Sequence, residues 1–462
     1  MSNPNTMKPV GLLATALSMA LGAVTIAEDT RSIKRDAGDA EIVITDLGLL
    51  PGGTTSSGLA INDEPIIVGL ANDNNFELQR PFWDANTGDI VGFAENFNPA
   101  STAIPEEINE SREMAGTEVY GDNVYQGIYW NPAGEAFVLP PLEGVDPFYG
   151  SLHTKGHSIN NLGQLAGGGK EGEPNFFFHA ALWLDPNTEA IDLGFLGQGN
   201  PNYSEAYGIN DLTHVVGNSA IGSLIHGFLW RDGQMTDLGA LNGQVVSEAS
   251  GINNTGLICG KSNIFPVVWK YDISNPGRAP KIQQLPIPAG FFAATTTAVN
   301  DLGDVVGYAG SPNIDSHAIL WRDGVAIDLG VWPGGHYSVA NGINNLGQIV
   351  GTGTVSGNNL DHALMWTVDG GGGGIPCGDI DSFEARCKPF GGGNRKLQAR
   401  VTFNDTSHSG EQVTITVDGN PAQATINGNR AQLSINNPGL GEHTIALTDP
   451  AGCFPPATPS CN

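Results

Sequence analysis

Short runs in which apolar and polar residues alternate recur along the chain, separated by Gly, Asn and Asp. One repeat, residues 236–269, contains four such runs, at 236–239, 247–253, 257–260 and 266–269. The apolar residues of these runs do not follow the spacing of an amphipathic helix. The pattern predicts four short antiparallel strands per repeat and an all-β fold.

Each repeat also carries an Asn after an aliphatic residue, a Gly seven positions later, and a Trp that ends the following apolar run. The Asn/Gly pairs are Asn62/Gly69, Asn109/Gly116, Asn160/Gly167, Asn210/Gly217, Asn253/Gly260, Asn300/Gly307 and Asn344/Gly351. The Trp residues are Trp83, Trp130, Trp183, Trp230, Trp269, Trp321 and Trp366. Seven repeats of roughly 45 residues predict a seven-bladed β-propeller, with a β-solenoid as the alternative.

Asn and Gly at these positions predict tight turns. An Asn side chain accepts hydrogen bonds from nearby backbone amides, and Gly tolerates the left-handed backbone that a β-carbon disfavours. We therefore expect Gly303 and Gly347 to adopt positive φ. Trp-Arg-Asp-Gly at 230–233 predicts a second tight turn, interpreted as joining the last strand of one repeat to the first strand of the next.

Two short motifs accompany the repeats. His-Gly-Phe-Leu-Trp at 226–230, His-Ala-Ile-Leu-Trp at 317–321 and His-Ala-Leu-Met-Trp at 362–366 share one pattern, and Asp-Leu-Gly recurs at 46–48, 192–194, 237–239 and 328–330. With these motifs, residues 44 to 366 resemble the HAF-type extracellular repeat, named for its His-Ala-Phe tripeptide. Repeats two, three and six depart from it. Repeat three has Val-Leu-Pro at 138–140, and repeat six has Gln-Leu-Pro at 284–286. The resemblance implies export and tandem propeller-like repeats, and it supplies no established chemistry.

Composition divides the chain into five segments. An apolar stretch after Lys8 predicts a cleaved signal peptide over 1–27. An N-terminal linker over 28–43 follows, and then the propeller over 44–369. Residues 370–376 predict a flexible glycine linker. Alternating strands over 377–462 predict a small immunoglobulin-like β-sandwich that carries disulfides.

Cysteine usage agrees with export. Cys377, Cys387, Cys453 and Cys461 all lie in the C-terminal segment, as is typical of a small extracellular domain with disulfides. Four cysteines allow three pairings, of which we favour Cys387 with Cys453 and Cys377 with Cys461, because these tie the ends of the domain together. Cys259 is predicted to be a buried apolar residue.

Charge restricts the partners. Lys and Arg total 20 against 48 Asp and Glu, so the net charge is −28. This balance repels phosphate backbones, and we expect neither a nucleic-acid partner nor an anionic membrane partner. No segment after the signal peptide is long and apolar enough for membrane insertion. The mature protein is expected to be secreted, either extracellular or periplasmic.

Candidate ligand-binding residues lie where loop length varies between repeats, because variable loops on a rigid scaffold commonly carry recognition. Trp332 replaces the Leu of other repeats, beside His336 and Tyr337. Its indole is expected either to stack on a sugar ring or to fill the core of a larger loop. His179, His226, His317 and His362 occupy equivalent places on separate repeats and are predicted to bridge strands, so no metal site is expected.

The sequence contains no metalloprotease, phosphate-binding or nucleophile-elbow motif, so no catalytic residue and no cofactor is assigned. The prediction is an exported, non-catalytic binding protein for an extracellular glycan or protein ligand. Two alternatives stay open. One is an extracellular polysaccharide hydrolase or lyase with its site in the propeller mouth, and the other is a structural matrix protein.

Overall fold

The computed structural model describes residues 32–37, 40–95, 102–120, 124–143, 145, 153–170, 177–197, 203–275, 277–312, 314–355, 360–369, 380–390, 394–403, 412–417, 420–436, 445–449 and 459. The regular elements in these ranges are β-strands, which confirms the predicted all-β class. None of the described segments forms a helix that is long and apolar enough to span a membrane. The predicted signal peptide (1–27) and glycine linker (370–376) lie outside the described residues.

Two N-terminal strands, β1 (Ser32–Ala37) and β2 (Ala40–Gly48), precede the first blade. The first three blades, each written from its inner to its outer strand, follow along the chain. Blade one consists of β3 (Ser56–Ile61), β4 (Ile66–Asn72), β6 (Pro81–Asp84) and β7 (Ile90–Phe93), with the short β5 (Leu78–Gln79) beside β4. Blade two consists of β8 (Thr102–Ile108), β9 (Met114–Tyr120), β10 (Val124–Trp130) and β11 (Ala136–Val138). Blade three consists of β12 (Thr154–Ile159), β13 (Leu165–Lys170), β14 (Phe178–Trp183) and β15 (Ile191–Asp192).

The next three blades have the same antiparallel order. Blade four consists of β16 (Ser204–Ile209), β17 (Val215–Ile221), β18 (Leu224–Arg231) and β19 (Gln234–Asp237). Blade five consists of β20 (Glu248–Ile252), β21 (Leu257–Ser262), β22 (Phe265–Lys270) and β23 (Lys281–Gln284). Blade six consists of β24 (Ala293–Val299), β25 (Val305–Ser311), β26 (Ile314–Arg322) and β27 (Val325–Gly330).

Blade seven is shared between the two ends of the repeat region. It consists of β28 (Ser338–Ile343), β29 (Ile349–Thr354) and β30 (Asp361–Asp369), and the N-terminal strand β2 adds the fourth strand by pairing with β30. Each inner strand contacts the inner strands of both neighbouring blades, and β28 contacts β3. The seven sheets in the described ranges therefore form a closed ring, as the propeller prediction requires.

The strand pairing corrects the predicted repeat boundary. The turn at 230–233 joins β18 to β19 within one sheet, so it does not link two blades. Asp-Leu-Gly therefore belongs to the outer edge of the preceding blade, and the blade begins one strand later than the sequence repeat. The predicted N-terminal linker, 28–43, contains β1 and the first residues of β2.

Tryptophan side chains fill the space between neighbouring sheets. Six of the seven repeat Trp residues are almost completely buried, namely Trp83, Trp130, Trp183, Trp269, Trp321 and Trp366. Trp230 is partly buried and packs against the core around Phe228 and Val215. Cys259 lies fully buried in the core between blades five and six, as predicted. Because large aromatic side chains bury the most apolar area, these residues supply much of the hydrophobic stabilisation between blades.

The C-terminal segment forms two three-stranded antiparallel sheets. One contains β31 (Ile380–Phe390), β32 (Asn394–Phe403) and β35 (Arg430–Asn436), and the other contains β33 (Gln412–Val417), β34 (Asn420–Thr425) and β36 (Ile445–Asp449). Residues of both sheets contribute to one buried core, which includes Val401, Phe403, Ile415 and Ile445. Cys387 lies on β31, whereas Cys377, Cys453 and Cys461 lie outside the described residues, so the pairings stay predictions.

Candidate functional site: the central channel

Each inner strand contains a β-bulge at the same place. The register of every inner strand with its neighbour skips the residue three positions before the repeat Asn. The skipped residues are Leu59, Glu106, His157, Tyr207, Ser250, Thr297 and Asn341. Bulges re-aim side chains and occur frequently beside functional sites. The scaffold thus repeats while the displayed side chain changes from blade to blade.

All seven bulge residues line one cavity of about 560 Å³ on the axis of the ring. The cavity extends to the Asn hairpins at one end of the channel. We call the seven side chains the bulge ring. Because they are mostly polar and differ in chemistry, the bulge ring can form hydrogen bonds with a ligand in the channel.

The repeat Gly allows the bulge to form. Gly167 pairs with Gly156 just before the bulge at His157, and a β-carbon on Gly167 would lie well under 3.0 Å from the backbone oxygen of Lys155. The other six repeat glycines face a main-chain oxygen of the inner strand in the same way. Their φ values are not positive, so close approach of the backbone is what requires Gly here. Gly303 and Gly347 instead adopt φ of 90° and 74°, which confirms the predicted left-handed turns.

The repeat Asn residues connect neighbouring blades. The Oδ1 atom of Asn160 accepts hydrogen bonds from the backbone amides of Leu162 and Gln164, which confirms the predicted turn chemistry. Its Nδ2 donates to the backbone oxygen of Asn210 on the next blade, at 2.9 Å. The same inter-blade bond occurs at all seven repeat Asn residues, at 2.8 to 3.0 Å. This inter-blade role was not predicted from the sequence.

The residues after the repeat Asn form a second ring of hydrogen bonds at the same end of the channel. The backbone amide of each donates to the side chain of its counterpart on the next blade, at 2.6 to 3.1 Å. The members are Asp63, Glu110, Asn161, Asp211, Asn254, Asp301 and Asn345. Four carboxylates therefore surround this mouth. Burial and the neighbouring Asp63 and Glu64 carboxylates raise the pKa of Glu110, although backbone hydrogen bonds oppose the shift.

Charged groups concentrate on blades two to four. His157 Nδ1 lies 2.6 Å from Glu106 Oε2, and its Nε2 lies 2.8 Å from Glu205 Oε1. Glu205 Oε1 also accepts a hydrogen bond from Lys155 Nζ at 2.7 Å, and Glu205 Oε2 accepts one from the Tyr203 hydroxyl at 2.8 Å. The side chain of His157 is 12% exposed and that of Glu205 is 4% exposed. The imidazole is thus held between two carboxylates.

These contacts fix the protonation of the network. Burial alone would lower the pKa of His157, but Glu106 and Glu205 raise it to about 9. Burial opposes ionisation of Glu205, yet hydrogen bonds and charge from His157 and Lys155 lower its pKa to about 2. At neutral pH His157 is therefore a cation that donates from both ring nitrogens, and Glu205 is an anion. Burial and Glu205 also raise the pKa of Tyr203, which stays a neutral hydroxyl.

The bulge residues of blades five to seven bond to the scaffold. Ser250 Oγ, Thr297 Oγ1 and Asn341 Nδ2 each donate to a backbone oxygen of the following blade, at 2.7 to 2.9 Å. On the opposite side, the rings of His157 and Tyr207 lie 5.0 Å apart between centroids, tilted by 33°. One side of the channel is therefore lined by Ser250, Thr297 and Asn341, which bond to the scaffold. The other side is lined by Glu106, His157 and Tyr207, which we call the charged arc.

The predicted ligand-binding residues lie elsewhere. Trp332 is 8% exposed and packs with Leu329 and Trp366 in the core between blades six and seven, so little of its indole is open to a ligand. The Tyr337 hydroxyl donates to Asp361 Oδ1 at 2.7 Å, and the His336 amide donates to Thr354 Oγ1 at 2.6 Å. Neither Trp332, His336 nor Tyr337 is among the described residues that line the cavity. The role of His336 and Tyr337 in binding stays a prediction.

The four HAF-motif His residues each bond to the Asp of the outer strand in the same sheet. His179 contacts Asp192, His226 contacts Asp237, His317 contacts Asp328 and His362 contacts Asp46, all at 2.8 to 3.1 Å. Each pair links two strands, which agrees with the predicted bridging role. Within the described ranges, no group of three or more His, Cys, Asp or Glu side chains is arranged to hold a metal ion.

Comparisons with known proteins return structural likeness only. No protein-family model matches the chain, and no curated protein matches its sequence. The β-propeller domain of the Trilobed protease from Pyrococcus furiosus is 11% identical, with a TM-score of 0.39 over 68% of this chain and 95% of that chain. Prolyl oligopeptidase B from Galerina marginata is 10% identical, with a TM-score of 0.42 over 78% of this chain and 57% of that chain. A polysaccharide lyase of family PL25, an ulvan lyase, is 9% identical with a TM-score of 0.25, over 84% of this chain and 96% of that chain. At these values the likenesses carry no argument about function.

Proposed function

We propose that the protein is an exported, non-catalytic binding protein that recognises a glycan in its central channel. One observation carries the proposal: a bulge at the same place in seven inner strands turns seven different side chains toward one cavity. A glycan offers many hydroxyl groups, which suit amide, hydroxyl and carboxylate partners on several sides. We therefore assign recognition to the channel and not to Trp332.

The charged arc supports binding more than proton transfer. His157 with a pKa of about 9 and Glu205 with a pKa of about 2 both hold their charge near neutral pH. A general acid or base works best when its pKa lies near the operating pH. Both groups are better suited to orienting neighbouring side chains. Glu106 and Tyr207 line the cavity together with His157, whereas Glu205 is not among the described lining residues.

Binding can be tested with a panel of neutral and acidic polysaccharides, measuring depletion of the protein and release of oligosaccharides in the same samples. Glu106→Gln removes a negative charge from the cavity wall and Tyr207→Phe removes a hydroxyl group, and we expect each to raise the Kd about three- to tenfold. Matched controls are Glu189→Gln, on an exposed turn of blade three, and Tyr308→Phe, on a second strand away from the cavity lining. Equal affinities of the site variants and the controls would refute the channel site.

A polysaccharide hydrolase is the second candidate, and one residue favours it. Glu107 lines the cavity, and burial together with Glu106 and Glu110 raises its pKa to about 7, against an opposing backbone hydrogen bond from Ile108. A carboxyl group with this pKa is suited to general acid catalysis. Oligosaccharide release that Glu107→Gln abolishes, with retention of polymer binding, would replace the non-catalytic proposal with this one.

We also propose that the protein is secreted and that its C-terminal segment is an immunoglobulin-like sandwich. The HAF-type motifs and the apolar N-terminal segment support secretion. The shared core of the two C-terminal sheets supports an immunoglobulin-like sandwich joined to the propeller. Mass spectrometry of the mature protein from a secreting host tests export, since a cleaved signal peptide predicts a start near Glu28.

A further inference from the structure

Three basic side chains gather on blade three, at the end of the channel opposite the Asn hairpins. Lys155 Nζ lies 4.8 Å from the ring centroids of both Tyr125 and Phe178. Lys170 Nζ lies 5.5 Å from the centroid of the same Phe178 ring and 3.4 Å from His153 Nδ1. We call these five residues the basic cluster. Its members lie at or beside strand ends, on the face where loop length varies between blades.

The basic cluster contrasts with the charge of the whole protein. The chain has 20 Lys and Arg against 48 Asp and Glu, yet two Lys side chains share one aromatic ring. Among the described carboxylates, that of Glu205 forms the ion pair with this cluster, through Lys155. The Glu205 Oε1 atom that contacts Lys155 also contacts His157. Repulsion from Lys155 acts on Lys170, and an anion bound beside both ammonium groups would offset it.

The electrostatic surroundings agree with local positive charge. Burial and the neighbouring Lys155 lower the pKa of Lys170, and burial and Lys170 lower the pKa of His153. The net negative charge of the protein does not cancel this effect, because salt at physiological strength screens charges beyond about 8 Å. An anionic group that entered the cluster would relieve the repulsion between the lysines.

The aromatic rings complete the chemistry of a sugar site. Tyr125 and Phe178 are each partly exposed, with centroids 6.4 Å apart in an edge-to-face arrangement. The ammonium groups of Lys155 and Lys170 lie over these rings, so a sugar would contact the exposed parts of the rings while the ammonium groups bind its charged substituent. We propose that the basic cluster binds the anionic substituent, a carboxylate or a sulfate ester, of an acidic glycan.

This inference rests on the proposed glycan-binding function and extends it to a ligand class. Glu205 links the two regions, because its Oε1 contacts Lys155 of the basic cluster and His157 of the bulge ring. A glycan that enters from the variable-loop face would meet the basic cluster first and the polar channel second. The four carboxylates at the opposite mouth disfavour entry of an anionic chain from that side.

Dextran, carboxymethyl-dextran and dextran sulfate of equal length provide the test, because they share one backbone and differ in the charged group. We expect the full-length mature protein to bind at least one charged polymer roughly tenfold or more tightly than dextran, as a charge-assisted contact requires. Lys170→Gln should remove this preference and Lys170→Arg should retain it. Lys270→Gln, an equal charge change at an exposed site on blade five, is the matched control.

The outcomes separate the two proposals. Equal binding of neutral and charged dextrans, or a charge preference that survives Lys170→Gln, overturns the basic cluster as an anion site. In that case the channel proposal still stands or falls on Glu106→Gln and Tyr207→Phe. Loss of preference in Lys170→Gln, with no effect of those two channel variants, supports the basic cluster and overturns the channel proposal. The stronger of the two charged polymers identifies the carboxylate or the sulfate as the preferred group.

Discussion

The side-chain amide of Asn344 donates a hydrogen bond of 3.0 Å to the backbone oxygen of Asn62, across a separation of 282 residues. The bond joins the last blade to the first and completes a circle of seven equivalent bonds around the channel mouth. Asn344 Oδ1 is engaged as well, because it accepts the amides of Leu346 and Gln348 within its own hairpin. One amide side chain therefore shapes a hairpin and joins two blades.

Asn344→Asp tests the closing bond, since a carboxylate keeps the acceptor and loses the donor. We expect the free energy of unfolding to fall by about 1–3 kcal/mol, because a buried carbonyl loses its partner and faces a negative charge. Asn263→Asp, on the exposed turn between β21 and β22 of blade five, makes the same chemical change without an inter-blade contact of its side chain. Urea unfolding of both variants measures the difference. Equal losses would mean that the Asn344 bond does not stabilise closure.

The repeat pattern correctly predicted the number of blades, the hydrogen bonds of the Asn turns and the positive φ of Gly303. Each of these features depends on local sequence. In blade seven, the membership of the outer strand depends on distant pairing. Asp46 on β2 contacts His362 on β30, 316 positions later, and no local signal distinguishes this arrangement from the predicted boundary. Strand pairing therefore had to come from the structure.

The bulge ring escaped prediction for a related reason. His157 and its counterparts share no residue type, so a search for repeated residues passes over them. The signal that could have identified them is variation at a fixed position. Each bulge residue lies three positions before the repeat Asn, and its residue type differs in every repeat. Trp332 is an unusual aromatic residue in the repeat sequence, but it packs in the core between blades six and seven.

Removal of β2 tests whether this strand stabilises blade seven by pairing with β30. Deletion of residues 1–48 leaves the edge of β30 unpaired, and an exposed edge strand promotes association with other chains. We expect a lower melting temperature and higher-order species in size-exclusion chromatography. Deletion of residues 1–31 is the control, because it retains β1 and β2. A monomeric deletion variant with unchanged melting would argue against closure through β2.

Gly167→Ala tests the close approach that accompanies the bulge. A β-carbon at this position collides with the main-chain oxygen of Lys155, which neither strand can relieve without moving the other. We expect a loss of about 1–3 kcal/mol in the free energy of unfolding, as for other overpacked sites. Gly277→Ala is the control, since its β-carbon would meet no backbone atom within 4 Å and its φ is not positive. Chemical denaturation of both variants should separate them clearly.

The contacts of His157 with Glu106 and Glu205 predict how the stability of the protein depends on pH. The folded-state pKa of His157 is raised from 6.5 to about 9, so its contribution is complete below pH 6.5 and is lost as the pH rises toward 9. The pKa of Glu205 is lowered from 4.5 to about 2, so its contribution is complete above pH 4.5 and is lost as the pH falls toward 2. The network should therefore stabilise the protein most between pH 4.5 and 6.5.

His157→Gln should flatten the decline in stability on the alkaline side. We expect the difference in unfolding free energy between wild type and variant to shrink by on the order of 2 kcal/mol from pH 6 to pH 9. In this range the unfolded wild-type chain releases the His157 proton while the folded state still holds it, and the variant has no such proton. Urea unfolding at several pH values measures this difference. His336→Gln, at a site on blade seven outside the cavity lining, controls for the loss of an imidazole. Parallel curves for wild type and His157→Gln across this range would show that Glu106 and Glu205 do not hold the imidazole as a cation.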